Sequence, residues 1–179
     1  MSDKTMVFTE TEIAARVAAL GRQVRENYEK ILAPGEQLLA VGVLNGAFIF
    51  MADLVRAMGD LPVEVDFVRL SSYQEKDTSS AEVVMTKNIE KEISGRHVLV
   101  VEDIADAGLT LDWLIEFLKK RNPASVKVAV AVDKLARRET QVPLDYVGFT
   151  LHDGFLVGYG LDYAERFRTL PAIYEARTK

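Results

Sequence analysis

The stretch from Val98 to Thr110 reads VLVVEDIADAGLT and gathers three carboxylates, Glu102, Asp103 and Asp106, within five residues. An apolar run precedes them, and behind them come a small Ala107-Gly108 turn, Leu109 and a threonine, Thr110, at a predicted helix start. In open α/β sheets the carboxyl ends of the strands form the ligand crevice. A glycine-containing turn that enters a helix presents backbone N–H groups and the positive end of a dipole, which together hold a phosphate. Carboxylates beside such a cradle suit ribose hydroxyls, a magnesium ion or a proton to be taken. A phosphorylated sugar is the natural ligand for that combination.

Competing motifs fit this segment less well. A Walker loop needs G-x-x-x-x-G-K-[ST], which is absent. A receiver domain also ends an apolar strand in acidic residues, but that strand should open the domain, and here it begins beyond the midpoint of the chain. As mere strand-capping residues, clustered carboxylates at the end of a buried strand would be a costly choice.

The surrounding elements read as one α/β domain spanning residues 1–179, with no repeat and no Pro-rich or Gly/Ser-rich linker. Thr9 and Glu12 have capping-box spacing. Behind them Ile13, Val17, Leu20, Val24 and Tyr28 recur at helical period. Gln37 to Leu44 is a near-continuous apolar run that ends at Asn45-Gly46, a buried strand and tight turn. A helix follows from Ala47 to Met58, stopped by Gly59. Val63 to Val68 alternates like a strand and leads into the polar stretch Ser71 to Ser80, a surface excursion or a lid. Glu82 to Thr86 returns as the second arm of an extended hairpin. His97 to Val101 and Val126 to Val132 are further buried strands. Between them runs a helix opened by Thr110, carrying Leu111, Leu114, Ile115 and Leu118, with Lys119, Lys120 and Arg121 in its last turn before Pro123. Tyr146 to Phe149 and Phe155 to Gly158 are short strands ahead of a polar tail.

Bulk composition narrows the function classes. At 49% hydrophobic and 27% charged residues the chain has ordinary globular composition rather than that of a disordered segment. With no cysteine, there is no disulfide framework, thiolate metal site or cysteine nucleophile. His97 and His152 lack ligand-like spacing, which argues against zinc. No apolar run approaches the roughly 20 residues of a membrane span, and the first residues, MSDKT, lack the layout of a secretory signal. The expectation is a cytoplasmic protein. A net charge of −5 disfavours nonspecific nucleic-acid binding. It leaves room for an anionic small ligand held by a local field.

The acidic segment resembles the phosphoribosyl-pyrophosphate motif of type I phosphoribosyltransferases. The rest of the chain is similar to the hypoxanthine (hypoxanthine-guanine) phosphoribosyltransferase family. That likeness runs from Leu44-Asn45-Gly46 through Ser72-Tyr73 and the acidic motif to Asp133-Lys134, then through Phe155 to Tyr163 and Arg168. Lys134 followed in order by Phe155 to Asp162 narrows the resemblance to enzymes acting on 6-oxopurines. It implies a mainly parallel twisted sheet flanked by helices, with a flexible hairpin lid and a small hood region.

The resemblance also implies roles. Glu102 and Asp103 would hold the ribose hydroxyls, directly or through magnesium. Asp106 would lie near purine N7 as general acid/base, helping N9 to become the nucleophile. Backbone groups of Asp106, Ala107, Gly108, Leu109 and Thr110, with the Thr110 hydroxyl, would bind the 5′-phosphate. Lys134 would donate to the 6-oxo group; an ammonium can only donate, which favours an oxo over an amino substituent. Phe155 would stack on the base, and backbone groups near Leu156 would read its edge. Asp162 would meet magnesium through water, and Arg168 would contact pyrophosphate. Leu44, Asn45 and Gly46 would bind pyrophosphate through backbone groups, with Leu44–Asn45 a candidate cis peptide. Ser72 and Tyr73 belong to the loop that closes over the reacting centre. The chain departs from the family pattern at Asn45, where many relatives carry a basic residue, and at Ala107, where threonine or serine is usual.

The implied activity is magnesium-dependent transfer of the 5-phosphoribosyl group from phosphoribosyl pyrophosphate to hypoxanthine, with guanine as a second base. The products are the nucleoside monophosphate and pyrophosphate. The resemblance further implies a homodimer or homotetramer, with no nucleic-acid or membrane partner. A nucleotide-sensing or RNA-binding regulator on the same fold, and a transferase that prefers xanthine, are the alternatives. Arg137 and Arg138 read as an interface pair or a solvated basic pair.

Overall fold

The computed structural model describes residues 4–73 and 82–177. Its main sheet has six strands in the order β4-β3-β2-β5-β6-β7. These are β2 (Leu38–Leu44), β3 (Val63–Tyr73), β4 (Glu82–Lys87), β5 (His97–Ala105), β6 (Ser125–Lys134) and β7 (Tyr146–Leu151). All neighbours run parallel except β3 and β4, which form the antiparallel hairpin. A second, antiparallel sheet joins β1 (Lys4–Phe8), β9 (Ile173–Ala176) and β8 (Leu156–Val157).

The apolar runs of β2 and β5 are explained by helices on both faces of the sheet. Leu38 and Ala40 of β2 point into one core with Leu99 and Val101 of β5. Leu39, Val41 and Val43 point into the other with Val98 and Val100. The first core is closed by α1 (Glu10–Tyr28) and α2 (Phe48–Ala57), the second by α3 (Leu109–Lys119). The capping box forms as expected, with the Thr9 N–H donating to Glu12 Oε2 at 2.8 Å and the Glu12 N–H to Thr9 Oγ1 at 3.2 Å. The face of α1 that is buried is the one the period predicts: Ile13, Val17, Leu20, Val24 and Tyr28. No helix among the described residues is long and apolar enough to cross a membrane.

Several expected boundaries move. The polar tail contains a strand, β9, and the first residues form β1; Lys4 stands opposite Ala176. Neither is legible locally, because each is short and its partner lies at the far end of the chain. With β8, reduced from the expected Phe155–Gly158 to Leu156–Val157, they build the small hood sheet, whose Leu156 and Ile173 enter the same core as α1 and α2. β3 continues from the expected Val68 to Tyr73 because β4 pairs with it as far as Tyr73↔Glu82. β5 continues from Val101 to Ala105 because β6 pairs with it as far as Ala105↔Asp133. The helix expected at Thr110 starts one residue earlier, at Leu109, with Gly108 as N-cap. The predicted lid falls mostly on residues 74–80, outside the described residues.

Candidate active site

The added length of β5 decides how the acidic residues are presented. Glu102 and Asp103 lie within the strand near its carboxyl end, and Asp106 lies just beyond it. Gly108 takes a left-handed backbone with φ 88° and turns the chain directly into α3, a conformation open to glycine at little cost. Its C=O accepts from the Asp112 N–H at 2.9 Å, the first bond of that helix. The free amide end of α3 therefore opens at Ala107–Thr110, onto a cleft of about 460 Å³ that these residues line with Glu102, Asp103 and Asp106.

Glu102 and Asp103 are half-buried and line that cleft. Burial, reinforced by the charge of Asp103, pushes Glu102 well above the usual carboxylate range. Burial also raises Asp103, opposed by its bonds to Glu102 and to the Ile104 N–H and by the positive charge of Arg168. Adjacent acids whose charge is disfavoured in this way are suited to a cation or to hydroxyl donors.

The parallel register of β5 and β6 brings Lys134 beside Asp106. Lys134 is 5% exposed, and its Nζ lies 3.4 Å from Asp106 Oδ2 and 3.7 Å from Asp153 Oδ1. Arg137 reaches the same Asp106 oxygen at 3.5 Å from the solvent side. The other oxygen, Asp106 Oδ1, is buried and has no hydrogen-bond partner among the described residues. Phe155, two residues after Asp153, is 39% exposed and meets Tyr163 edge-on with centroids 5.5 Å apart. Leu156 is buried in β8.

On the opposite side of the acidic pair, the Leu44–Asn45 peptide is cis, as the resemblance implied. Gly46 lies so close to Asp103 that a methyl group there would collide with its carboxylate, and Gly160 abuts the Gly46 carbonyl in the same way. The first loop is thus wedged between β5 and the hood. Arg168 donates to the Gly160 carbonyl at 2.8 Å and pairs with Asp162 and Glu165, each at 3.0 Å. Asp162 Oδ2 also accepts from the Glu165 N–H at 2.7 Å, so both its oxygens are engaged within this turn. Ser72 and Tyr73 close the described part of β3.

Three residues at or near the site carry more than their sequence context suggests. Arg137 and Arg138 are neither a solvated pair nor a single unit: Arg137 contacts Asp106, while the half-buried Arg138 lies behind the loop. Asp153, which no motif marks, shares Lys134 with Asp106. Only the two-arginine cluster after a strand ending in lysine hints at any of this, and its partners lie on another strand.

The family described as phosphoribosyl transferase domain matches residues 5–164. The hypoxanthine phosphoribosyltransferase of Salmonella typhimurium is 44% identical over 168 residues, covering 94% of this chain and 92% of the relative. The hypoxanthine-guanine phosphoribosyltransferase of Bacillus subtilis is 42% identical over 168 residues, covering 94% of this chain and 90% of its own. Among solved structures, the hypoxanthine phosphoribosyltransferase of Trypanosoma cruzi superposes with a TM-score of 0.88 at 37% identity, covering 98% of this chain and 97% of that one. The hypoxanthine-guanine phosphoribosyltransferase of Bacillus anthracis gives a TM-score of 0.88 at 36% identity, covering 99% and 100%. Kinship and architecture agree over almost the full length, and the chain belongs to the hypoxanthine (hypoxanthine-guanine) phosphoribosyltransferases of the phosphoribosyltransferase family.

Proposed function

We propose that the whole chain acts as one phosphoribosyltransferase domain in purine salvage, joining hypoxanthine, and guanine as a second base, to phosphoribosyl pyrophosphate. Purine N9 forms a bond to the sugar C1, the bond from C1 to pyrophosphate oxygen breaks, and its electron pair leaves with pyrophosphate. The observation that carries this is the buried Lys134 ammonium 3.4 Å from Asp106 at the mouth of the amide-lined turn. It sets a donor for an oxo group beside an acceptor for the purine proton, and that acceptor lines the same cleft as the anion cradle.

Each residue has a task consistent with its placement. Ala107 to Thr110 receive the 5′-phosphate on backbone N–H groups and the Thr110 hydroxyl. Asp106 takes the purine proton on its carboxylate. Phe155 covers the base, backbone groups at Leu156 read its edge, and Leu44 to Gly46 with Arg168 receive pyrophosphate. Ser72 and Tyr73 belong to the arm that shields the reacting centre from water. Among the described residues no group of three or more side chains could cage a metal alone. A pair of carboxylates beside a phosphorylated substrate nevertheless fits magnesium, which binds through one or two carboxylates plus substrate oxygens. Glu102 and Asp103 would hold it, with Asp162 contacting it through water, and the ion would neutralise charge on the leaving pyrophosphate. Homodimeric or homotetrameric assembly belongs to the same proposal and rests on kinship.

The test is turnover of hypoxanthine, guanine, xanthine and adenine with phosphoribosyl pyrophosphate and magnesium, followed by absorbance. Hypoxanthine and guanine are expected to react and adenine to fail, because Lys134 offers no acceptor to an amino group. Adenine turnover equal to hypoxanthine would overturn the role of Lys134, and no product with any base would favour the regulator.

Ala107 makes a separate prediction. Its position on the cleft wall lacks the hydroxyl usual there, and one hydrogen bond to a charged acceptor contributes roughly 1.5–3 kcal/mol. Ala107→Thr is expected to lower the KM for phosphoribosyl pyrophosphate about tenfold. An unchanged or higher KM in steady-state kinetics would count against the phosphate site.

A further inference from the structure

Arg138 stands behind the phosphate loop rather than inside the cleft, and its bonds determine which way the loop faces. The side chain is 10% exposed. Its Nε donates to the Asp106 carbonyl at 2.8 Å, and its Nη2 donates to the carbonyls of Ala105 at 3.0 Å and Lys134 at 3.1 Å. The Asp133 carboxylate pairs with the same Nη2 and holds the guanidinium in place. The next two backbone N–H groups, of Glu139 and Thr140, both donate to the Ala107 carbonyl, at 2.9 and 3.0 Å. Contact is close enough that a Cβ on Gly108 would lie 2.5 Å from the Thr140 carbonyl oxygen and 3.3 Å from Arg138 Cδ.

A trans peptide is planar, with its C=O and the following N–H pointing in opposite directions. Tying back the Asp106 and Ala107 carbonyls therefore turns the N–H groups of Ala107 and Gly108 away from residues 138–140, toward the cleft that both residues line. We infer that Arg138 is a positioning residue of the transferase. It fixes the peptide plane that aims the Ala107 N–H at the 5′-phosphate, and through the Lys134 carbonyl it ties that loop to the strand bearing the base-reading lysine. A guanidinium suits this task because its planar fork can serve several carbonyls at once, which an ammonium does less well.

This inference rests on the transferase reading of the cleft, and the experiment separates the two. Binding of inosine 5′-monophosphate and of inosine is titrated calorimetrically to wild type, Arg138→Gln and Arg138→Lys, with thermal melts alongside. Arg138→Gln is expected to weaken binding of the monophosphate about tenfold, the equivalent of one charge-assisted hydrogen bond, and to leave inosine unaffected. Arg138→Lys keeps the charge, folds if glutamine does not, and is expected to fall between. An equal loss for both ligands, or no loss for the monophosphate in either variant, overturns the positioning role and leaves the transferase reading standing. Wild type that binds inosine as tightly as its monophosphate overturns both.

Discussion

Asp106→Asn lowers kcat by about two to four orders of magnitude, the usual contribution of a positioned general base, while binding of the nucleoside monophosphate changes little. The side chain keeps its size, and the amide can still occupy the space between Lys134 and Arg137. What disappears is the negative charge and the basicity of the carboxylate, because an amide of the same shape cannot take up the purine proton. Lys134 also loses the closer of its two counter-charges and keeps Asp153 at 3.7 Å, whose side chain is 63% exposed. Such an exposed charge attracts weakly, but the ammonium keeps its donors for the base, so nucleotide affinity is largely retained. Pre-steady-state kinetics beside equilibrium nucleotide titration separates the effects. Equal losses in chemistry and nucleotide affinity would contradict a chemical role for this aspartate.

Asp66→Ala destabilises the fold by about 3 kcal/mol, through loss of hydrogen bonds to a buried charged acceptor. Asp66 is 6% exposed and accepts from the backbone N–H groups of Phe67 at 2.7 Å, Glu90 at 2.7 Å and Lys91 at 2.9 Å. These bonds pin the segment after β4, so that Ile89 and Ile93 remain seated in the core beside α3. For a domain of this size the loss corresponds to a fall in Tm of about 6–12 °C. Burial pulls the Asp66 carboxyl upward, but the N–H donors of Lys91, Phe67 and Glu90 outweigh it, and its pKa lies below the ordinary aspartate value. Because the folded-state value is the depressed one, this stabilisation is complete above the unfolded aspartate pKa of about 3.9. It is lost as pH falls through the folded value. Chemical denaturation between neutral pH and the acid limb should show a shallower acid dependence for Asp66→Ala than for wild type. Parallel curves would show that Asp66 is not the group responsible.

These two aspartates differ in how far local sequence reveals them. Asp106 sits in a segment where strand, turn and helix start are encoded side by side, and its candidacy follows from neighbours a few positions away. Asp66 lies in an alternating strand, where a polar residue ordinarily faces solvent. Apart from the adjacent Phe67 N–H, its backbone donors are 24 and 25 residues further on, and nothing nearby announces those two. The two arginines after Lys134 show the same limit. They are adjacent and chemically identical, yet the side chain of one is 10% exposed and bonded to three carbonyls while the other is 69% exposed.

What the chain encodes locally is therefore the α1 capping box, the buried helix faces, the two-sided strands and the acidic turn into α3. These depend on side-chain period and on backbone preferences that act within a few residues. Tertiary structure alone decided that Lys134 meets Asp106, that Arg138 braces the loop and that the two ends of the chain pair as β1 and β9. Each of these depends on register between segments joined by long crossovers, and such register is set by how all the layers pack together rather than by any one segment.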